Sequence, residues 1–179
     1  MTNVVSISYS PEWESTSDFP AGGNDESRRV IIAAPEWQVR ERWFAADVSL
    51  QAGSLSAHYA RTPLIDYAMA LRYSLEMLAV DDVSSFPASG GPRLEMARNG
   101  GTVDIRQSGR LTSGIEFADL VSACAYFRRK FIDEATSRYP EILLNGLIES
   151  LFRESGLREK DRNRFKRHSD AVKLRNRLA

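Results

Sequence analysis

The chain has 179 residues, 42% of them hydrophobic, with 24 acidic and 24 basic side chains. That apolar content suffices for one domain with a real core, and a net charge of zero excludes a general polyanion binder and a disordered acidic chain. The charge is uneven: Leu157 to Ala179 holds nine Lys or Arg against three Asp or Glu, so a mildly acidic body ends in a basic tail.

Val4 to Tyr9 alternates Val5, Ile7 and Tyr9 against Ser6 and Ser8, which predicts a first short strand. Residues 10–29 are rich in Ser, Asp, Glu, Gly and Pro and read as a surface loop, with Trp13 and Phe19 able to pin it to the body. Arg29 to Ala34 is a compact β-branched run, expected as a second strand ended by Pro35. From Trp43 to Gln51, Phe44, Ala46, Val48 and Leu50 share one face, with Trp43, Asp47 and Ser49 opposite. Ala52-Gly53 turns the chain, and Leu55, Ala57 and Tyr59 continue inward, a hairpin signal.

Thr62-Pro63 reads as a helix start, with Thr62 as N-cap and Pro63 at the first helical position. Leu64, Ala68, Leu71, Leu75 and Leu78 give that helix its apolar stripe. Ser84 to Pro92 reads as a loop. Leu94 and Met96, the tight turn Asn99-Gly100-Gly101, then Val103 and Ile105 form a second hairpin. After a loop from Gly109 to Gly114, Ile115 and Phe117 make a third strand. Asp119 then caps a helix whose buried stripe is Leu120, Cys124, Phe127 and Phe131. Pro140 opens a further helix carrying Leu144, Leu147 and Leu151, with Gly156 as C-cap.

This order predicts an α+β fold, a mostly antiparallel sheet with helices packed on one face, in one domain over residues 1–156. Residues 157–179 form a basic tail or solvated helix. The N-terminus lacks the basic and apolar regions of a signal peptide, and no apolar run approaches the ~18 residues that span a bilayer, so a cytoplasmic protein is expected.

The chemistry-bearing residues are few. His58 has outward parity and can serve as a general base or simply as a surface strand histidine. Cys124, the single cysteine, lies on an apolar helix face, where burial opposes thiolate formation, and it allows no internal disulfide. No serine elbow, phosphate-binding glycine loop or metal-ligand spacing occurs, so no catalytic residue, metal or cofactor is assigned. An enzyme with a dispersed site remains the reading that a deep polar pocket holding His58 or grouped carboxylates would support.

Glu95, Asp104 and Glu116 each alternate with apolar neighbours. If their strands pair antiparallel, the three carboxylates share the outward face, a surface suited to a basic partner or an ordinary solvated sheet face. Trp43, with outward parity on its strand, is the candidate aromatic anchor. In the tail, Arg162, Arg164, Lys166 and Arg167 can neutralise phosphates, which makes a nucleic-acid-associated accessory or regulatory protein the alternative function. Glu159, Asp161 and Asp170 interleave there, as they would in a solvated or docked tail.

The layout of Phe44 to Tyr59, the helix from Leu64 to Leu78, Arg93 to Arg106, Ile115-Glu116-Phe117 and the Asp119-led helix resembles small immunity proteins of bacterial polymorphic toxin systems, particularly the WapI-type group. The similarity is one of element order and carries no signature residues. It implies a non-enzymatic protein-interaction module that binds a cognate toxin and occludes it. Toxins of this type that attack nucleic acids are commonly basic, which suits the acidic body.

Overall fold

A computed structural model of the protein describes residues 4–10, 20 and 23–147. Among these, an antiparallel three-stranded sheet runs in the order β1 (Val5–Tyr9), β2 (Ala45–Ala52), β3 (Leu55–Pro63). A second antiparallel sheet has β4 (Val83–Phe86), β5 (Leu94–Asn99), β6 (Thr102–Gln107) and β7 (Arg110–Glu116) in sequential order. The helices are α1 (Asp25–Ala33), α2 (Glu36–Glu41), α3 (Leu64–Asp81) and α4 (Phe117–Arg138), followed by a 3-10 turn at Pro140–Leu144. The fold is α+β with antiparallel sheets, as the alternation predicts. No described helix is long and apolar enough to cross a membrane.

Alternation places Ile7, Tyr9, Val48, Leu50, Leu55, Ala57 and Tyr59 of the first sheet in the core, and Leu94, Met96, Val103, Ile105 and Ile115 of the second. The stripe Leu64, Ala68, Leu71, Leu75 and Leu78 of α3 is buried, as is Leu120, Cys124, Phe127 and Phe131 of α4. Tyr67 sits at the centre of an aromatic cluster, edge-on to Tyr59, Phe86 and Phe127 at centroid distances of 5.2, 5.1 and 5.5 Å. Each such pair adds about 0.5–1.5 kcal/mol beyond its burial.

Several local expectations are corrected. Arg29 to Ala34 is not a strand but the body of α1. Asn24 caps this helix by accepting from the Ser27 amide at 2.8 Å, Asp25 and Glu26 favour its positive end, and Ile31 is its buried residue. Thr62 is not the cap of α3. It is buried in β3, opposite Ala46, and Pro63 is itself the cap residue. Ser84 to Phe86 belongs to β4 rather than to a loop, and Arg110 to Gly114 already belongs to β7. Glu116 precedes α4 as its cap residue, leaving Asp119 in the first turn. Pro140 starts a 3-10 turn, while Leu151 and Gly156 lie outside the described residues.

The single sheet expected from the strand pattern is two. β3 runs straight into α3, and among the described residues its outer edge receives no strand partner. Instead the β4–β5 loop comes up to it, and the Ala60 amide donates to the Gly90 carbonyl at 2.9 Å. Only glycine allows that approach. A Cβ at Gly90, whose φ is +80°, would lie 2.1 Å from the Ala60 oxygen, and one at Gly91 would lie 2.3 Å from the Tyr59 ring. Ser54 and Thr112 add a hydroxyl contact of 3.1 Å between the first hairpin turn and β7.

Asn145 closes the described chain. Its Nδ2 donates to the carbonyls of Ile31 at 2.9 Å and Ala34 at 3.1 Å, and its Oδ1 accepts from the Leu147 amide at 2.9 Å. The C-terminal carbonyls of α1 thereby find a partner that the helix itself cannot supply.

Candidate functional site

The second sheet covers the core with one face, and its other face carries the predicted carboxylates. Antiparallel register sets Glu95 opposite Arg106, Asp104 opposite Ala97, and Glu116 opposite Thr102. The three acids therefore stand one per strand along a diagonal of the face. Glu95 and Glu116 are exposed, and Asp104 is half-buried. Diagonal neighbours in a sheet sit roughly 7–8 Å apart, which spreads the three charges over the surface. Asp104 also holds its own sheet together locally. Its Oδ1 accepts from the Gly114 amide at 3.4 Å, across the register shift between Val103 and Ile105. The face is mixed in charge. Arg106 shares it, and Arg93 donates to the Ser85 hydroxyl at 2.6 Å at the β4 side.

Trp43 does not belong to such a surface. It is wholly buried, in the turn before β2. The residue between it and the strand, Phe44, has φ +55°, so strand parity counted back from Ala46 does not carry through to Trp43. Phe44 holds this conformation against Phe131, with ring centroids 5.5 Å apart. Among the described residues the exposed tryptophan is Trp37, at 53%, beneath the Arg42 guanidinium. Its exposure was available in principle from the sequence: in a helix, Trp37 lies nearly opposite Val39, the buried residue of α2.

His58 is exposed on the outer face of the first sheet, its Nδ1 3.4 Å from the Ser49 hydroxyl. The row Ser8, Ser49, His58 and the adjoining row Ser6, Gln51, Ser56 make this face polar. Cys124 is buried and free, and burial pushes its thiol above the ordinary value, with Arg128 and Arg72 opposing the shift. That is a packing cysteine and not a poised nucleophile. Among the described residues no group of three or more His, Cys, Asp or Glu is placed to hold a metal ion. Arg162, Arg164, Lys166 and Arg167 lie outside the described residues.

A feature that strand and helix patterns did not reveal is a cavity of about 390 Å³ between α3 and α4, with Arg40 of α2 also in its lining. Ile65, Ala68, Phe131 and Ile132 are among its apolar lining, and Arg40, Arg72, Arg128 and Glu76 are its charged groups. In hindsight, Ile65, Met69, Arg72 and Glu76 form a stripe of their own at helical spacing, next to the core stripe of α3.

Compared with protein-family models, curated proteins and solved structures, the chain matches none.

Proposed function

We propose that this chain is a protein-interaction module without catalytic activity, and more concretely an immunity protein that binds a cognate toxin and occludes its working surface. The observation that carries the reading is the diagonal of Glu95, Asp104 and Glu116 on the outer face of the four-stranded sheet. A rigid sheet presenting spaced carboxylates to solvent can orient a basic partner and speed its docking, while apolar contacts nearby supply the residence time. Trp43 has no part in this surface, being buried.

The test is recovery of the tagged protein from its native host, with nuclease treatment and a salt wash, beside the double variant Asp104→Lys with Glu116→Lys. One stoichiometric protein partner that survives the wash, and whose affinity falls at least about tenfold in the variant, is the expected result. The variant's thermal unfolding must stay close to that of the parent, because Asp104 also holds the Gly114 amide. Equal retention by parent and variant would remove this face as the site. Recovery of nucleic acid alone, lost at high salt, would instead move the function to the basic tail.

A further inference from the structure

The cavity between α3 and α4 has the composition of a small-ligand site. Its floor is apolar, from Ile65, Ala68, Phe131 and Ile132, and its charged lining is three arginines to one carboxylate. Small-molecule pockets combine this kind of apolar wall with a few convergent polar groups, and about 390 Å³ falls within their usual size range.

Two of the arginines are not consumed by their neighbours. Arg72 meets Glu76 Oε1 at 2.6 Å through Nε and Nη2, which leaves Nη1 for another acceptor. Arg40 donates from Nε to Asp66 at 3.2 Å and reaches Glu36 only at 4.0 Å through Nη1, which leaves Nη2. Both side chains are partly exposed, at 34% for Arg40 and 26% for Arg72, so an incoming group can reach them. Behind them, burial draws the Arg128 guanidinium below its ordinary value; the neighbouring Arg72 charge adds to that shift, while Cys124 and Glu76 oppose it. A negative group entering beside these cations would relieve their mutual repulsion.

We propose that this cavity binds a small amphipathic carboxylate, its apolar body on Ile65, Ala68, Phe131 and Ile132 and its carboxylate hydrogen-bonded to Arg72 and Arg40. A guanidinium with a free edge is the side chain best shaped to receive a carboxylate. This inference is independent of the toxin-binding reading, since it concerns helices and not the sheet face.

Met69 and Met96 allow a direct test on the full chain. Met69 lines the cavity, whereas Met96 is buried in the second sheet. With methyl-labelled methionine, titration with octanoate below its micelle concentration should shift the Met69 signal saturably and leave Met96 in place. The neutral analogue octanol should bind at least about tenfold more weakly, and Arg72→Gln should weaken octanoate by a similar factor. The double variant Arg72→Gln with Glu76→Gln keeps the pair neutral and should show the same loss if the helix is sensitive to an unpaired Glu76. Three results would overturn the proposal: no Met69 shift at millimolar octanoate, as when the groove is covered by protein; equal shifts at Met69 and Met96; or octanol binding as tightly as octanoate.

Discussion

Arg98 donates from Nε to the Asp82 carboxylate at 2.9 Å, and the same guanidinium lies 5.3 Å from the centroid of the Phe117 ring. Asp82 is the left-handed cap residue that ends α3, at φ +59°, and Phe117 is the first residue of α4. One side chain on β5 therefore ties the end of one core helix to the start of the next. It also reaches the Ala79 carbonyl at 3.4 Å, where a positive charge complements the negative end of α3.

Arg98→Ala should lower stability by about 1–2 kcal/mol, the combined scale of a half-exposed ion pair and a cation–π contact. Asp82→Gly loses the ion pair but relieves the left-handed backbone, so it should fall within about 0.5 kcal/mol of the parent. Urea unfolding of both variants checks this. A glycine variant as damaged as Arg98→Ala would show that the carboxylate, and not the aromatic contact, dominates.

Asn145→Asp is the sharper probe of the clamp on α1. The substitution keeps the acceptor for the Leu147 amide and removes both donors to the helix carbonyls. A buried carboxylate would then face the Ile31 and Ala34 oxygens, at a cost of about 2–4 kcal/mol. Hydrogen exchange should quicken first in α1. Uniform loss of protection across the fold would mean that the clamp serves the whole domain instead.

Tyr59 and Tyr67 bury their hydroxyls without a hydrogen-bond partner among the described residues. Tyr67→Phe should therefore be neutral or stabilising by up to about 1 kcal/mol, against the usual loss at a core site. A drop of several degrees in Tm would reveal a hydrogen bond to Tyr67 Oη. Burial raises both phenols above their ordinary value of 10.0. The folded state thus holds protons that the unfolded chain releases, so the stability linked to these groups is intact below pH 10.0 and declines as pH climbs past it. Alkaline titration followed by phenolate absorbance should show both tyrosines ionising together with unfolding. Ionisation in a still-folded protein would contradict their burial.

Gly91→Ala should cost about 2–4 kcal/mol, because the new methyl group meets the Tyr59 ring and the His58 carbonyl at 2.6 Å. Gly101→Ala is the control, since a Cβ there has nothing within 4 Å. Thermal unfolding of the pair separates steric conflict from a general loss of glycine. Equal behaviour would mean that the loop moves aside at little cost.

The legible parts of this fold are those in which one face is buried over several residues. β2, β3, β5 and β6 show their period directly, and so do the core stripes of α3 and α4. Val30-Ile31-Ile32 misleads because a β-branched run says nothing about which side is covered. The decisive local signal was Asn24 with Asp25 and Glu26 behind it. Trp43 misleads because a left-handed residue interrupts parity without a glycine to announce it. The carboxylate diagonal was legible strand by strand, but its register was not. The division into two sheets and the arginine-lined cavity arise from contacts between distant segments, which no periodicity encodes.

The Asn145 clamp has a consequence for biosynthesis. It joins residues 114 apart in the chain, and the Tyr9 hydroxyl, which donates to Glu134, spans 125. As the protein emerges from a ribosome, α1 and β1 must wait for nearly all of the described chain before their last partners exist. Until then the α1 carbonyls face water or a chaperone, and the first segments made are among the last to be secured.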